Sequence, residues 1–325
     1  MADPQMKAVM ETMRRHKRFV VSSHLNPEGD ALGSALSLAS LLKRLGKEVV
    51  LCNDGGIPKA FSYLPKLVPV VHPDKVKADV SMIVDVPVLE RVGSVRPLVE
   101  RTPLVVCIDH HVSNQLFADV NWVDPKAAAV GEMIYRLYEA FKEIPTKPEA
   151  YCMYVSLVTD TGSFKYLNTT PAVHKIAADL ISKGVSPLDV SQHLYESRSA
   201  LDLKFLGTLL RDIQVSDGGR VVWLEVNRSI VKAFRAGADV LDDLVNFPRS
   251  VQTAEVAFVL KESDKKGIVR VSFRSKGRID VNKIARHFGG GGHMAASGCT
   301  IQATLPQARN RVLKVVRKSL KQSRG

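Results

Sequence analysis

Residues 18–53 constrain the fold more than any other stretch. RFVVSS at 18–23 is an apolar run of strand length that stops at His24. ALGSALSLASLLKRL at 31–45 sets Leu32, Ala35, Leu36, Ala39 and Leu42 on one helical face, and Gly46 ends it. KEVVLCN at 47–53 is a second strand pattern. Strand, helix, strand is a βαβ unit, and such units imply a parallel sheet with right-handed crossovers. VSMIVDV (80–86) and LVVCIDHH (104–111) continue the series as short buried strands. Spacing predicts helices at 6–17, 130–141, 148–159, 171–183 and 187–195, with Pro148 suited to a first helical turn.

The texture changes near residue 213. RVVWLEV (220–226), TAEVAFVLKE (253–262) and GIVRVSFRSK (267–276) alternate more strongly, and KESDKKG reads as a polar hairpin turn. IDVNKIARHF (279–288) predicts a helix, SGCTIQ (297–302) a strand and 305–323 a closing helix. The expectation is an α/β chain: a parallel-sheet domain over 1–190, a linker with a helix over 191–212 and a smaller α+β domain over 213–325.

Acids and histidines gather at the carboxyl ends of the predicted strands, where open α/β sheets bind ligands. His24, Glu28 and Asp30 follow the first strand, Asp85 ends the third, and Asp109, His110 and His111 end the fourth. Asp160 closes a helix. Singly, each reads as a cap or turn residue: Asp30 could cap the 31–45 helix and Asp160 could form an Asx-turn. Jointly they read as a metal centre. Carboxylate mixed with imidazole suits Mn²⁺ first, with Co²⁺, Fe²⁺, Mg²⁺ or Zn²⁺ as alternatives. His24, Glu28, Asp30, Asp85, His110 and Asp160 exceed the needs of one ion. They suit two cations about 3.5–4 Å apart, bridged by Asp85, as in phosphoester cleavage.

A second feature is Gly289-Gly290-Gly291-Gly292-His293, set between a helix and a strand. As a linker it would be flexible; inside a domain it can bring several N–H groups to an anion, with Arg274 and Lys276 adding charge. The tail RNRVLKVVRKSLKQSRG reads first as a solvated helix face and second as an RNA-binding stripe. The net charge is +13, from 46 Lys and Arg against 33 Asp and Glu in 325 residues. That excess suits a polyanionic partner, with nucleotides and nucleic acid ahead of anionic membrane. It is expected on the second domain, the cleft rim and the tail, away from the acidic pocket. No apolar stretch is long enough to span a membrane, and the first residues lack the apolar core of a signal peptide. Scattered Cys52, Cys107, Cys152 and Cys299 fit a reducing cytoplasm.

Taken in order, His24-Leu-Asn-Pro-Glu-Gly-Asp30-Ala, the Asp85 strand end, Asp109-His110-His111 and Asp160-Thr-Gly-Ser-Phe resemble the four motifs of the DHH phosphoesterase superfamily. GGGGHMAASG, preceded by FRSKGRIDVNKIA, resembles the DHH-associated C-terminal domain. Length and pairing look most like the nanoRNase/pAp-phosphatase branch. The resemblance implies an Mn-dependent phosphodiesterase and phosphatase of exoribonuclease type, active on short oligoribonucleotides and on 3′-phosphoadenosine 5′-phosphate (pAp). It assigns one metal to His24 and Glu28, the other to Asp30 and His110, the bridge to Asp85, and completion of the site to Asp160. Where the family has Asp, this chain has Glu28. His111 matches a residue that contacts the scissile phosphate, with Asp109 orienting a ligand. Gly290, Gly291, Gly292, His293 and Arg274 match the substrate-binding loop and phosphate clamp. Rival readings are a phosphodiesterase for linear or cyclic dinucleotides (pApA, c-di-AMP), an inorganic pyrophosphatase or exopolyphosphatase, and a non-catalytic RNA-binding module. The sequence leaves assembly open, a homodimer included.

Overall fold

Five strands form the first sheet: β1 (Arg18–Ser22), β2 (Glu48–Leu51), β3 (Val80–Val84), β4 (Leu104–Asp109) and β5 (Val120–Val123). All pair in parallel, in the order β2-β1-β3-β4-β5. The computed structural model describes residues 3–196, 199–234, 241 and 243–322. The chain divides into two compact units, Met1–Glu196 and Ser197–Gly325.

Helices of the first unit are α1 (Pro4–Arg15), α2 (Gly29–Arg44), α3 (Arg96–Arg101), α4 (Val130–Phe141), α5 (Lys147–Asp160), α6 (Pro171–Ser182) and α7 (Pro187–Tyr195). Both sheet faces are covered. Val21, Met82, Val84 and Ile108 share a core with α2, α4 and α5, while Val20 and Ile83 pack with Val92, Leu98 and Val99 on the other side. Burial on both faces explains why these strands read as continuous apolar runs. Strand order switches direction between β1 and β3, which places the ligand crevice at their carboxyl ends.

α2 differs from its expected one-sided burial. Every residue from Gly29 to Leu42 is buried. α5 lies so close that a Cβ at Gly33 would come within 2.3 Å of the Cys152 carbonyl oxygen. The polar positions are satisfied in place: Ser37 Oγ donates to the Gly33 carbonyl at 2.7 Å and Ser40 Oγ to Glu149 at 2.7 Å. Each fully buried leucine of this helix contributes about 2 kcal/mol. β5 was not expected, because VNWV is too short to show a period. It forms the sheet edge under α1, where the buried Trp122 indole N–H donates to Asp3 at 2.9 Å.

The second unit opens with α8 (Ala200–Arg211) and continues through β6 (Gln214–Ser216), β7 (Val221–Val226), α9 (Arg228–Phe234), β8 (Val256–Glu262), β9 (Ile268–Ser275), β10 (Gly291–Gly292) and β11 (Ala296–Gln302). Its sheet runs β10-β11-β9-β8-β7-β6 and is mixed, with only β7 and β8 parallel. One face packs against helices Val281–Arg286 and Leu305–Gln322; the other buries Leu224, Val226 and Val259 under Phe205, Leu206 and Leu209 of α8. The segment 191–212, expected as a linker with a helix, is largely helix, and its α8 portion is core of the second unit. The four cysteines are buried free thiols. Among the described residues, no helix is long and apolar enough to cross a membrane.

Candidate active site

Asp85 stands at the centre of the first unit's crevice. It follows β3 directly and holds φ at +59°, a left-handed conformation that Asp tolerates better than most residues. Strain of this kind collects at functional positions. Its Oδ2 lies 3.4 Å from His24 Nε2, and its Oδ1 lies 3.5 Å from His111 Nδ1 and 3.7 Å from His110 Nε2. Oδ1 is buried and accepts no hydrogen bond.

The histidines are oriented from behind. His24 Nδ1 lies 2.8 Å from the Leu25 carbonyl, and His110 Nδ1 lies 3.1 Å from the Ala127 carbonyl. Donation from Nδ1 turns each Nε2 toward the acids. His110 Nε2 sits 3.2 Å from Asp160 and 3.8 Å from Asp30. Asp30 is wholly buried in the first turn of α2 and accepts from Ser34 Oγ (2.8 Å), Ser156 Oγ (2.5 Å), Val130 N (2.9 Å) and Gly131 N (3.2 Å). It does not cap its own helix, where Glu28 holds the N-cap position. Its carboxylate meets the amino end of α4 instead, with a favourable dipole. Asp160 ends α5, and the three residues Gly162, Ser163 and Phe164 after Thr161 all have φ between +56° and +61°. Glu28 is exposed at the N-cap of α2, and its charge is felt at Asp160.

A buried chain supports His111. Asp109, fully buried, places Oδ1 2.7 Å from His111 Nδ1, while Asn114 Nδ2 donates to Asp109 Oδ2 at 2.6 Å. Asn114 also donates to the Val86 carbonyl at 3.2 Å. Sequence reasoning missed Asn114 and Ser156, since neither carries a spacing signal. Ser34, four residues beyond Asp30 on α2, was detectable as an i,i+4 partner.

Burial opposes charge on His110, yet Asp160, Asp30 and Asp85 outweigh it and push the imidazole up to about 10. Burial and the Asp85 charge raise Asp30; burial also raises Asp160 well above the usual carboxylate range. Asp85 goes the other way: despite burial, its contact with His24 and the charges of His111 and His110 hold it low. Within the first unit, two sets offer ligand atoms within 4.8 Å of one another, Asp30–Asp85–His110 and Asp85–Asp109–His111. Crowded acids, back-oriented imidazoles and the unpartnered Asp85 oxygen fit a divalent cation. Binding must displace the His110 proton, so loading at pH 7 should release at least about one proton, and affinity should rise with pH. Calorimetry of Mn²⁺ binding in two buffers of different ionisation enthalpy measures this; buffer-independent heats would contradict it.

In the second unit the glycine run is a paired hairpin. β10 pairs Gly291 with Gly298 and Gly292 with Ser297. A Cβ at Gly290 would meet the Gly298 carbonyl oxygen at 2.1 Å, so that glycine is fixed by close packing. The expected anion cradle is correspondingly reduced. Gly290 N–H already donates to Ala285 and His293 N–H to Ala296, at 2.9 and 2.7 Å. Lys276 is also engaged, on the carbonyls of Val251 and Gln252. Arg274 stands beside the hairpin, opposite Ala296 in the β9–β11 register.

The profile of the DHH family, N-terminal domain, matches residues 18–157, and that of the DHHA1 domain matches 226–322. The bifunctional oligoribonuclease and PAP phosphatase NrnA of Thermus thermophilus is 32% identical over 319 residues, covering 97% of this chain and 94% of that protein. The chain belongs to the DHH family. A Bacillus subtilis protein of the same name is 29% identical, over 90% of this chain and 92% of its own. Among solved structures, an exopolyphosphatase-related protein from Bacteroides fragilis superposes with a TM-score of 0.90 at 25% identity, covering 100% and 98% of the two chains. As a DHH phosphoesterase the protein is a hydrolase with groups that could bind metal. The family match spans His24, Glu28, Asp30, Asp85 and Asp109–His111, and ends before Asp160.

Proposed function

We propose that this DHH-family enzyme hydrolyses short oligoribonucleotides to mononucleotides and dephosphorylates pAp to AMP, using two divalent ions, Mn²⁺ foremost. The buried cluster around Asp85 carries the reading, and near full-length similarity to proteins named for these two activities supports it. His24, Asp30, Asp85, His110 and Asp160 would hold the ions, with Asp85 shared and Glu28 reaching in from the rim. Bound metal would supply an activated water and charge stabilisation at phosphorus.

The chain's own residues set the rest. Asp109, 2.7 Å from His111 Nδ1, fixes the orientation of the ring that would contact a phosphoryl oxygen. Asp30, held by Ser34, Ser156 and the α4 amides, cannot drift as charge builds in the site. Arg274, His293 and the Gly290–Gly292 hairpin would grip a terminal phosphate or nucleotide. Four buried thiols suit a reducing cytoplasm.

A side-by-side Mn²⁺ assay tests this on pAp, labelled RNA from dinucleotide to 24-mer, pApA, c-di-AMP, pyrophosphate and polyphosphate. Turnover of pAp and falling activity with RNA length are expected. The name of the Bacteroides protein makes polyphosphate the pointed comparison. Hydrolysis of pyrophosphate or polyphosphate alone would overturn the reading.

A further inference from the structure

The whole net charge lies in the second unit. Residues 197–325 hold 24 Lys and Arg against 11 Asp and Glu, a net +13; residues 1–196 hold 22 against 22. The unit that bears the acidic cluster is thus neutral overall, and the excess needs its own account.

The closing helix Leu305–Gln322 gathers much of it and contains no acidic residue. Ala308, Val312, Leu313, Val316 and Leu320 face the core. Two of its cations are matched, Arg309 with Glu225 at 3.3 Å and Arg317 with Asp217 at 3.0 Å. Arg311, Lys314, Lys318 and Lys321 are exposed and recur every three or four residues, so they share one face over about 15 Å. None of these four has an ion-pair partner among the described residues. Like charges at this spacing repel and weaken the helix. The helix dipole favours Lys318 and Lys321 near the carboxyl end, but it does not account for Arg311 in the first half.

We infer that this stripe is a docking face for the sugar–phosphate backbone of single-stranded RNA. The inference rests on RNA being a substrate. Four cations in a row, with no interleaved acid, match a linear polyanion. A membrane surface fits less well, because an interfacial helix needs an apolar face to insert, and this one is already buried in its own core.

Fluorescence anisotropy of a labelled 12-mer RNA with the full chain in EDTA, across NaCl concentrations, tests the face without cleavage. Single strands lose about 0.7 in slope of log affinity against log salt per phosphate contact. Replacing all four residues (Arg311→Gln, Lys314→Gln, Lys318→Gln, Lys321→Gln) should lower the slope by about 3 and weaken low-salt binding at least tenfold. The pair Arg311→Gln, Lys314→Gln should show about half the slope change, and it serves if the quadruple variant unfolds. Hydrolysis of pAp by the loaded enzyme should be unchanged. An unchanged slope overturns the inference, as does binding to phosphatidylserine vesicles but not RNA through these residues. If pAp and RNA prove not to be cleaved, the functional reading fails while the slope still decides the docking face.

Discussion

Asp85→Asn should lower turnover of pAp and short RNA by at least about a thousandfold, the upper range for losing one preorganised charge contact. The size follows from position. Asp85 is the only acid within reach of three imidazoles at once, His24, His110 and His111, among the described residues. It belongs to both ligand sets, so its loss disables both together. Asparagine is the informative replacement because it tolerates the left-handed backbone that Asp85 holds. Alanine in the same place adds roughly 1–2 kcal/mol of backbone cost and confuses the result. The Asn variant should also lose the rise in melting temperature that Mn²⁺ gives the parent. Retained turnover, or a retained Mn²⁺ shift, would remove Asp85 from the metal site.

Much of this was legible because the signals were periodic or local. A strand buried on both faces leaves a continuous apolar run, and an acid or histidine just past its end marks the crevice; β1, β3 and β4 all read this way. What escaped was set by tertiary contacts. Asp30 looked like a cap for α2 and instead meets the amino end of α4, a hundred residues away. Asn114, which carries no spacing signal, anchors Asp109. The glycine run suggested an anion loop, and the contact of Gly290 with Gly298 across the hairpin is a packing demand its spacing does not show. In each case the deciding partner lies on an element whose approach has no trace in the local pattern.

The contact between α2 and α5 yields the second large effect. Gly33→Ala should destabilise the first unit by about 3 kcal/mol, at the upper end of ordinary overpacking. A Cβ there lies 2.3 Å from the Cys152 carbonyl oxygen and 3.3 Å from Ser156 Cβ. The clash is with backbone in the middle of a helix, so no rotamer change relieves it and the two helices must part. Gain in helix propensity, about 1 kcal/mol for Gly to Ala, offsets only part of this. Gly207 in α8 is the control: it is exposed and helical, and a Cβ there would meet nothing within 4 Å, so its replacement by Ala should stabilise. Chemical denaturation can be followed through Trp122 in a Trp223→Phe background, which confines the signal to the first unit. Because α2 carries Asp30 and α5 carries Asp160, parting them should also weaken Mn²⁺ binding by tenfold or more, of the order seen when groups supporting a metal's ligands are lost. A Gly33→Ala protein as stable as its parent, with undiminished metal affinity, would show that the helix contact is not what holds the two acids in place.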